Sequence, residues 1–111
     1  MLKNIATFAN SETETIFCGL RSKKLPFEIQ KFTLRKLNML NASESLQDLL
    51  VPLSNHFEKL SGDRKGKYSI RINDKYRICF SIKNGNYHDV EIIDYHKRIK
   101  YKINNLTLHV T

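Results

Sequence analysis

Residues 68–94 read YSIRINDKYRICFSIKNGNYHDVEIID, and the hydrophobic period inside that stretch decides the fold. Tyr68, Ile70 and Ile72 alternate with Ser69, Arg71 and Asn73; Tyr76, Ile78, Phe80 and Ile82 then alternate with Arg77, Cys79, Ser81 and Lys83. A period of two is that of a strand with one buried face. Val90 and Ile92, set against Glu91 and Ile93, make a third such strand. Asn73-Asp74 and Asn84-Gly85-Asn86 mark the two turns between them. Three-residue loops set Ile70 beside Ile78, Ile78 beside Ile92 and Phe80 beside Val90, so that the apolar side chains share one face. Two-residue loops would set Ile70 against Arg77 and Phe80 against Asp89, so three residues are expected at both turns.

The first half has the longer period of helices. Ser11-Glu12-Thr13-Glu14 reads as a capping box, with Gly19 placed to end the short helix in the left-handed conformation. A second helix is expected from LPFEIQ (residues 25–30) to about Leu40, with Pro26 in its first turn. Glu28, Lys31, Arg35 and Asn38 form its one polar stripe, leaving the remaining surface largely apolar. SESLQDLL (residues 43–50) predicts a short third helix capped by Ser43, and residues 4–8 and 57–60 are candidates for further strands. The fold class is therefore α+β: two or three helices on one face of a small, mainly antiparallel sheet.

At 111 residues, 41% of them hydrophobic, the chain makes a single domain with little spare core. No apolar run approaches the roughly 20 residues of a membrane span. The opening MLKNIATFANSETE also lacks the apolar block of about 7–15 residues found in signal peptides, so a cytoplasmic location is expected. Cys18 and Cys79 lack metal-ligand spacing and, in a reducing compartment, are expected to be packing residues. Charge narrows the class further. Nineteen Lys and Arg against eleven Asp and Glu leave +8 and a pI near 9.6. Such a surplus points to nucleic acid or an acidic partner. No helix sets a basic face opposite bulky aromatics, which argues against a membrane surface.

The register that aligns the apolar residues also sets Arg71 across from Arg77, on the face away from the helices, which is expected to be open. Like charges in opposition are unfavourable in a sheet, so an anion is expected beside them. Glu91, diagonal to Arg77, is one candidate, and a bound phosphate is the other. Ahead of these strands, EKLSGDRKGKY (residues 58–68) gathers Lys59, Arg64, Lys65 and Lys67 around two glycines, without the spacing of a P-loop. After them come Asp94, Tyr95 and His96. Arginines that neutralise a phosphate beside Tyr and His acid–base groups suit internal transesterification of RNA, in which the 2′-OH attacks the adjacent phosphorus. No Ser-His-Asp order, nucleotide-binding glycine motif or two-metal carboxylate cluster competes with this chemistry.

GDRKGKYSIRINDKYRICF (residues 62–80) followed by DVEIIDYH (residues 89–96) closely resembles the HigB-type toxins of the RelE superfamily. The resemblance covers roughly residues 1–96, leaving 97–111 as a basic C-terminal extension. It implies a microbial-ribonuclease-like α+β fold, cleavage of messenger RNA in the ribosomal A site without a metal, and neutralisation by a cognate helix-turn-helix antitoxin. By that resemblance Arg77 stabilises the phosphorane-like transition state, while Tyr95 and His96 share the proton transfers and Asp94 orients one of them. Lys59, Arg64, Lys65, Lys67 and Arg71 are expected to grip phosphates. The sequence departs from the family pattern in two places. Ser61 stands where relatives commonly carry a phosphate-binding lysine, and Lys59, on the same face of an extended strand, is the expected substitute. Relatives also usually stop close to DYH, so the extension is open to three readings: a further strand, an antitoxin contact or a disordered tail. Ser61 supports the alternative function, a non-catalytic RNA- or ribosome-binding module with the same fold.

Overall fold

The computed structural model describes residues 4–94. Helices α1 (Ser11–Phe17) and α2 (Phe27–Ala42) precede four strands, β1 (Glu58–Lys59), β2 (Lys67–Arg71), β3 (Tyr76–Lys83) and β4 (Asn86–Asp94). The strands form one antiparallel sheet in chain order, as expected for an α+β domain. Ile16 of α1 and Leu37 and Leu40 of α2 are buried in one cluster with Ile70, Ile78, Phe80 and Val90 of the sheet, so both helices cover the same face. Residues 4–8 run parallel to β4 through bridges at Ile5 and Phe8, protecting what would otherwise be an open edge.

The expected pairs Ile70–Ile78 and Ile78–Ile92 are present. The β2–β3 loop has the expected three residues, with Ile72 N donating to Tyr76 O at 2.9 Å. The β3–β4 loop does not. Lys83 pairs with Asn86 across a two-residue Asn84-Gly85 turn, both residues at positive φ (53° and 79°), which suits the twist of a hairpin. Register is restored by a bulge: Ser81 faces His88 and Cys79 faces Glu91, so Phe80 stands against both Asp89 and Val90. Asp89 absorbs the extra residue at φ 53°, and its N–H donates to Thr7 Oγ1. The bulge brings Tyr87 and Val90, an odd number of residues apart, into the same core.

This assigns Asp89 a conformational task with a measurable consequence. Asp89→Gly is expected to be neutral or slightly stabilising, because glycine adopts positive φ freely. Asp89→Val is expected to cost about 1–3 kcal/mol, since a β-branched residue is strained there. Urea midpoints at equal m-value measure the difference.

Two caps differ from expectation. Asn10, rather than Ser11, caps α1, its Oδ1 accepting from Thr13 N at 3.0 Å and from Thr13 Oγ1 at 2.8 Å. Thr13 Oγ1 in turn accepts from Ile92 N, tying the first turn of α1 to β4. Gly19 follows α1 at φ 81°, as expected of a left-handed terminator. Ser43 is the C-cap of α2, with its hydroxyl between Leu40 O and the Tyr87 hydroxyl. With Ser43 so engaged, residues 43–50 form no α-helix: a 3₁₀ turn begins after Ser45 and spans Leu46–Leu50.

Candidate functional site

The alternation that buries Ile70, Ile78 and Ile92 sends their neighbours to the other side of the sheet. There the register sets up three cross-strand rows. Lys67, Ser81 and His88 form one, Ser69, Cys79 and Glu91 the next, and Arg71, Arg77 and Ile93 the third. The opposition of Arg71 and Arg77 is therefore as expected. The face is not open, however. Leu60 folds over it and is buried with Cys79 and Ile93 in a second apolar cluster. Arg77 is only 5% exposed.

Arg77 is held on every side. Its Nε donates to Ser69 Oγ at 2.8 Å, and its Nη2 donates to the His56 carbonyl and, at 3.4 Å, to Ser69 O. Glu58 Oε1 lies 3.9 Å from the same nitrogen. His56 takes a left-handed conformation (φ 42°) at the end of a 3₁₀ turn, Leu53–Asn55. A buried guanidinium surrounded by acceptors anchors the chain at His56 and Glu58 to the sheet.

Arg71 has a different setting. It ion-pairs with Asp74, the carboxylate three residues on, whose side chain is 98% exposed. Such a surface pair is weak and open to competition by another anion. The two opposed arginines thus each have their own carboxylate, Glu58 for one and Asp74 for the other, so their opposition does not by itself require a ligand. Glu91, one of the two candidate anions for the arginine pair, is instead bound to Arg64, whose Nη1 donates to Glu91 Oε1 at 2.7 Å and lies 3.6 Å from Cys79 Sγ. Burial works against the charge on Arg64, and Glu91 and Cys79 more than offset it, so its pKa is raised. Burial also pushes the Cys79 thiol up, despite the Arg64 charge beside it, as befits the packing role expected of that residue.

The remaining candidates do not all converge. Lys67, half-buried, is on the same face as Arg71, and exposed Lys65 follows the 3₁₀ turn Gly62–Arg64. Lys59 pairs with Tyr68, whose ring stacks towards Phe80 on the helix side, so it does not share a sheet face with Arg71. Asp94 pairs with Tyr76 and lies on the helix side too, 4.0 Å from Lys75 Nζ. Tyr95, His96 and the extension 97–111 lie outside the described residues. Sequence reading missed Glu58 and His56 as the anchors of Arg77 and missed Lys36 of α2, whose Nζ donates to Asn55 Oδ1. Lys36 is off the polar stripe of α2, and nothing in the periodicity singles it out.

Comparison with known proteins agrees with the resemblance noted from the sequence. Residues 7–96 match the family described as the RelE-like toxin of type II toxin–antitoxin system HigB. Toxin HigB-1 of Vibrio cholerae is 40% identical over 65 residues, 59% of this chain and 68% of that protein. An uncharacterized protein of Haemophilus influenzae is 39% identical over 66 residues, 60% of this chain and 65% of that one. Among solved structures, the YoeB–YefM complex from Staphylococcus aureus aligns at a TM-score of 0.49 with 19% identity, covering 79% of this chain and 93% of its own. The family match spans most of the chain, including both arginine strands and the DYH motif, and on that ground the chain belongs to the HigB-like family of RelE-like toxins of type II toxin–antitoxin systems.

Proposed function

We propose that this protein is a ribosome-dependent endoribonuclease that cuts messenger RNA in the A site. Membership of the HigB-like toxin family carries this reading, because the match extends through Asp94-Tyr95-His96. In the proposed reaction the substrate's own 2′-oxygen forms a bond to the adjacent phosphorus as the P–O5′ bond breaks. The proton leaves the 2′-OH and another is supplied to the 5′-oxygen, leaving a 2′,3′-cyclic phosphate and a 5′-hydroxyl. His96 and Tyr95 share these two transfers, and no metal takes part.

Charge on the phosphorane-like transition state requires a cation that can reach it. We assign that contact to Arg71 rather than Arg77, because Arg71 is partly exposed and, among the described residues, pairs with a solvent-facing carboxylate. Arg77 acts at one remove by holding the His56–Glu58 backbone. Lys67 and Lys65 grip neighbouring phosphates. Asp94, on the other face, acts by fixing the end of β4. Residues 1–96 carry the activity, in the cytoplasm, and a cognate helix-turn-helix antitoxin silences it.

Inducing the protein in cells and mapping transcript ends tests this. New ends in phase with codons are the expected result. Growth arrest with intact messages would instead identify a non-catalytic ribosome-binding module, the function that Ser61 in the family's lysine position favours.

A further inference from the structure

Helix α2 carries more apolar surface than the sheet covers. At roughly 100° per residue, Ile29, Thr33, Leu37 and Leu40 fall in one buried arc. Phe27 and Phe32 fall outside it and are 64% and 53% exposed. Neither ring is bare. The Arg21 guanidinium lies 4.5 Å from the centroid of Phe27, and that of Arg35 lies 5.6 Å from the centroid of Phe32. Among the described residues neither arginine is in an ion pair. Phe27 is also one wall of a depression of about 390 Å³, completed by Arg21, Ser22, Lys23 and Leu25. The loop that shapes it is fixed. Buried Gln30 accepts from Ser22 N at 3.0 Å and donates its Nε2 to Ser22 O at 2.7 Å and to Leu25 O at 2.9 Å. From Cys18 to Ala42 the sequence has six Lys and Arg against one acid, Glu28. An apolar hollow with a cationic rim is therefore already in shape, so little ordering cost remains for whatever fills it. Exposed aromatic and arginine side chains are the kinds that carry interface energy.

We propose that this surface docks an acidic segment of the antitoxin, seating a large apolar side chain beside Phe27 and setting carboxylates against Arg21 and Lys31. This rests on the proposed antitoxin partner and deepens it by naming the surface that partner grips. A second copy of the chain would bring like charges together. RNA fits less well. The rings on which bases would stack already carry guanidinium groups, and α2 covers the sheet face opposite Lys67 and Arg71.

The test measures binding of the purified product of the neighbouring helix-turn-helix gene to wild type, Phe27→Ala, Arg21→Glu and Leu53→Ser. Each variant is first checked for an unchanged melting temperature. Phe27→Ala is expected to weaken binding about 10- to 100-fold. Arg21→Glu is expected to slow association and reduce its salt dependence. Leu53→Ser, at an exposed leucine outside this surface, is expected to change neither. In cells, Phe27→Ala and Arg21→Glu should still arrest growth and be less readily rescued by the antitoxin. Unchanged affinity in both variants, or equal loss in Leu53→Ser, would overturn the proposal and leave the antitoxin reading intact. A wild type that does not bind the protein at all defeats that reading itself. Unchanged antitoxin affinity with weakened ribosome binding would overturn the proposal too and assign the surface to RNA.

Discussion

Arg77→Ala is expected to cost about 3–6 kcal/mol of folding stability, because two acceptors, Ser69 Oγ and the His56 carbonyl, each lose a hydrogen bond from a charged donor worth about 1.5–3 kcal/mol. The whole margin of such a domain is on the order of 5–15 kcal/mol, so the variant should lose a large share of its stability and unfold at a markedly lower urea concentration. The loss has identifiable parts. Ser69 Oγ and the His56 carbonyl lose a charged donor, and Glu58 loses its nearby cation. The chain at His56–Glu58 is then no longer tied to the sheet, and Leu60 is free to lift from Cys79 and Ile93. Arg77→Lys keeps the charge but cannot span both acceptors, so its cost should be intermediate. Urea denaturation measures the stability, and thiol labelling reports the local opening. In the wild type, exposed Cys18 should react quickly and Cys79, 1% exposed with its pKa raised by burial, should react slowly. Arg77→Ala should expose the second thiol. A variant that is as stable as wild type, keeps Cys79 protected and cannot cut RNA would return Arg77 to the reaction centre.

The sheet was legible from sequence because the isoleucines at 70, 78 and 92 share a buried face in only one register. The second turn was misread because two local signals differ by one residue. Asn84-Gly85 specifies a two-residue turn, while the apolar alternation asks for three. The bulge at Asp89 satisfies both, and a polar residue at positive φ has no hydrophobic signature. Caps went astray for a similar reason. Asn10 and Ser11 are both good caps by residue type, and the hydroxyl of Tyr87 that claims Ser43 is 44 residues away in sequence. At the candidate site, the opposition of Arg71 and Arg77 follows from register alone. Which carboxylate serves which arginine does not, because Glu58 is placed by the edge strand and Asp74 by a turn. The position of Asp94 was within reach of the sequence: the parity that sends Ile92 to the helix face sends Asp94 there too.

The proposed reaction places its largest chemical effect on His96. Imidazole, with an unperturbed pKa of about 6.5, is the side chain best poised to accept and return a proton near neutral pH. Removing such a group typically slows a reaction by about 10²- to 10⁴-fold. His96→Gln should therefore leave folding and ribosome binding intact while cutting slows by that factor. A chain ending after His96 should cut at the wild-type rate if residues 1–96 carry the activity. The most direct measurement is single-turnover cleavage of messenger RNA on programmed ribosomes, with a chelator at a level that leaves the ribosomes intact. The expected result is cleavage by wild type and by the truncated chain, undiminished by the chelator, and a loss of at least about 100-fold in His96→Gln. Cutting by His96→Gln at the wild-type rate, or abolition of wild-type cutting by the chelator, would contradict it.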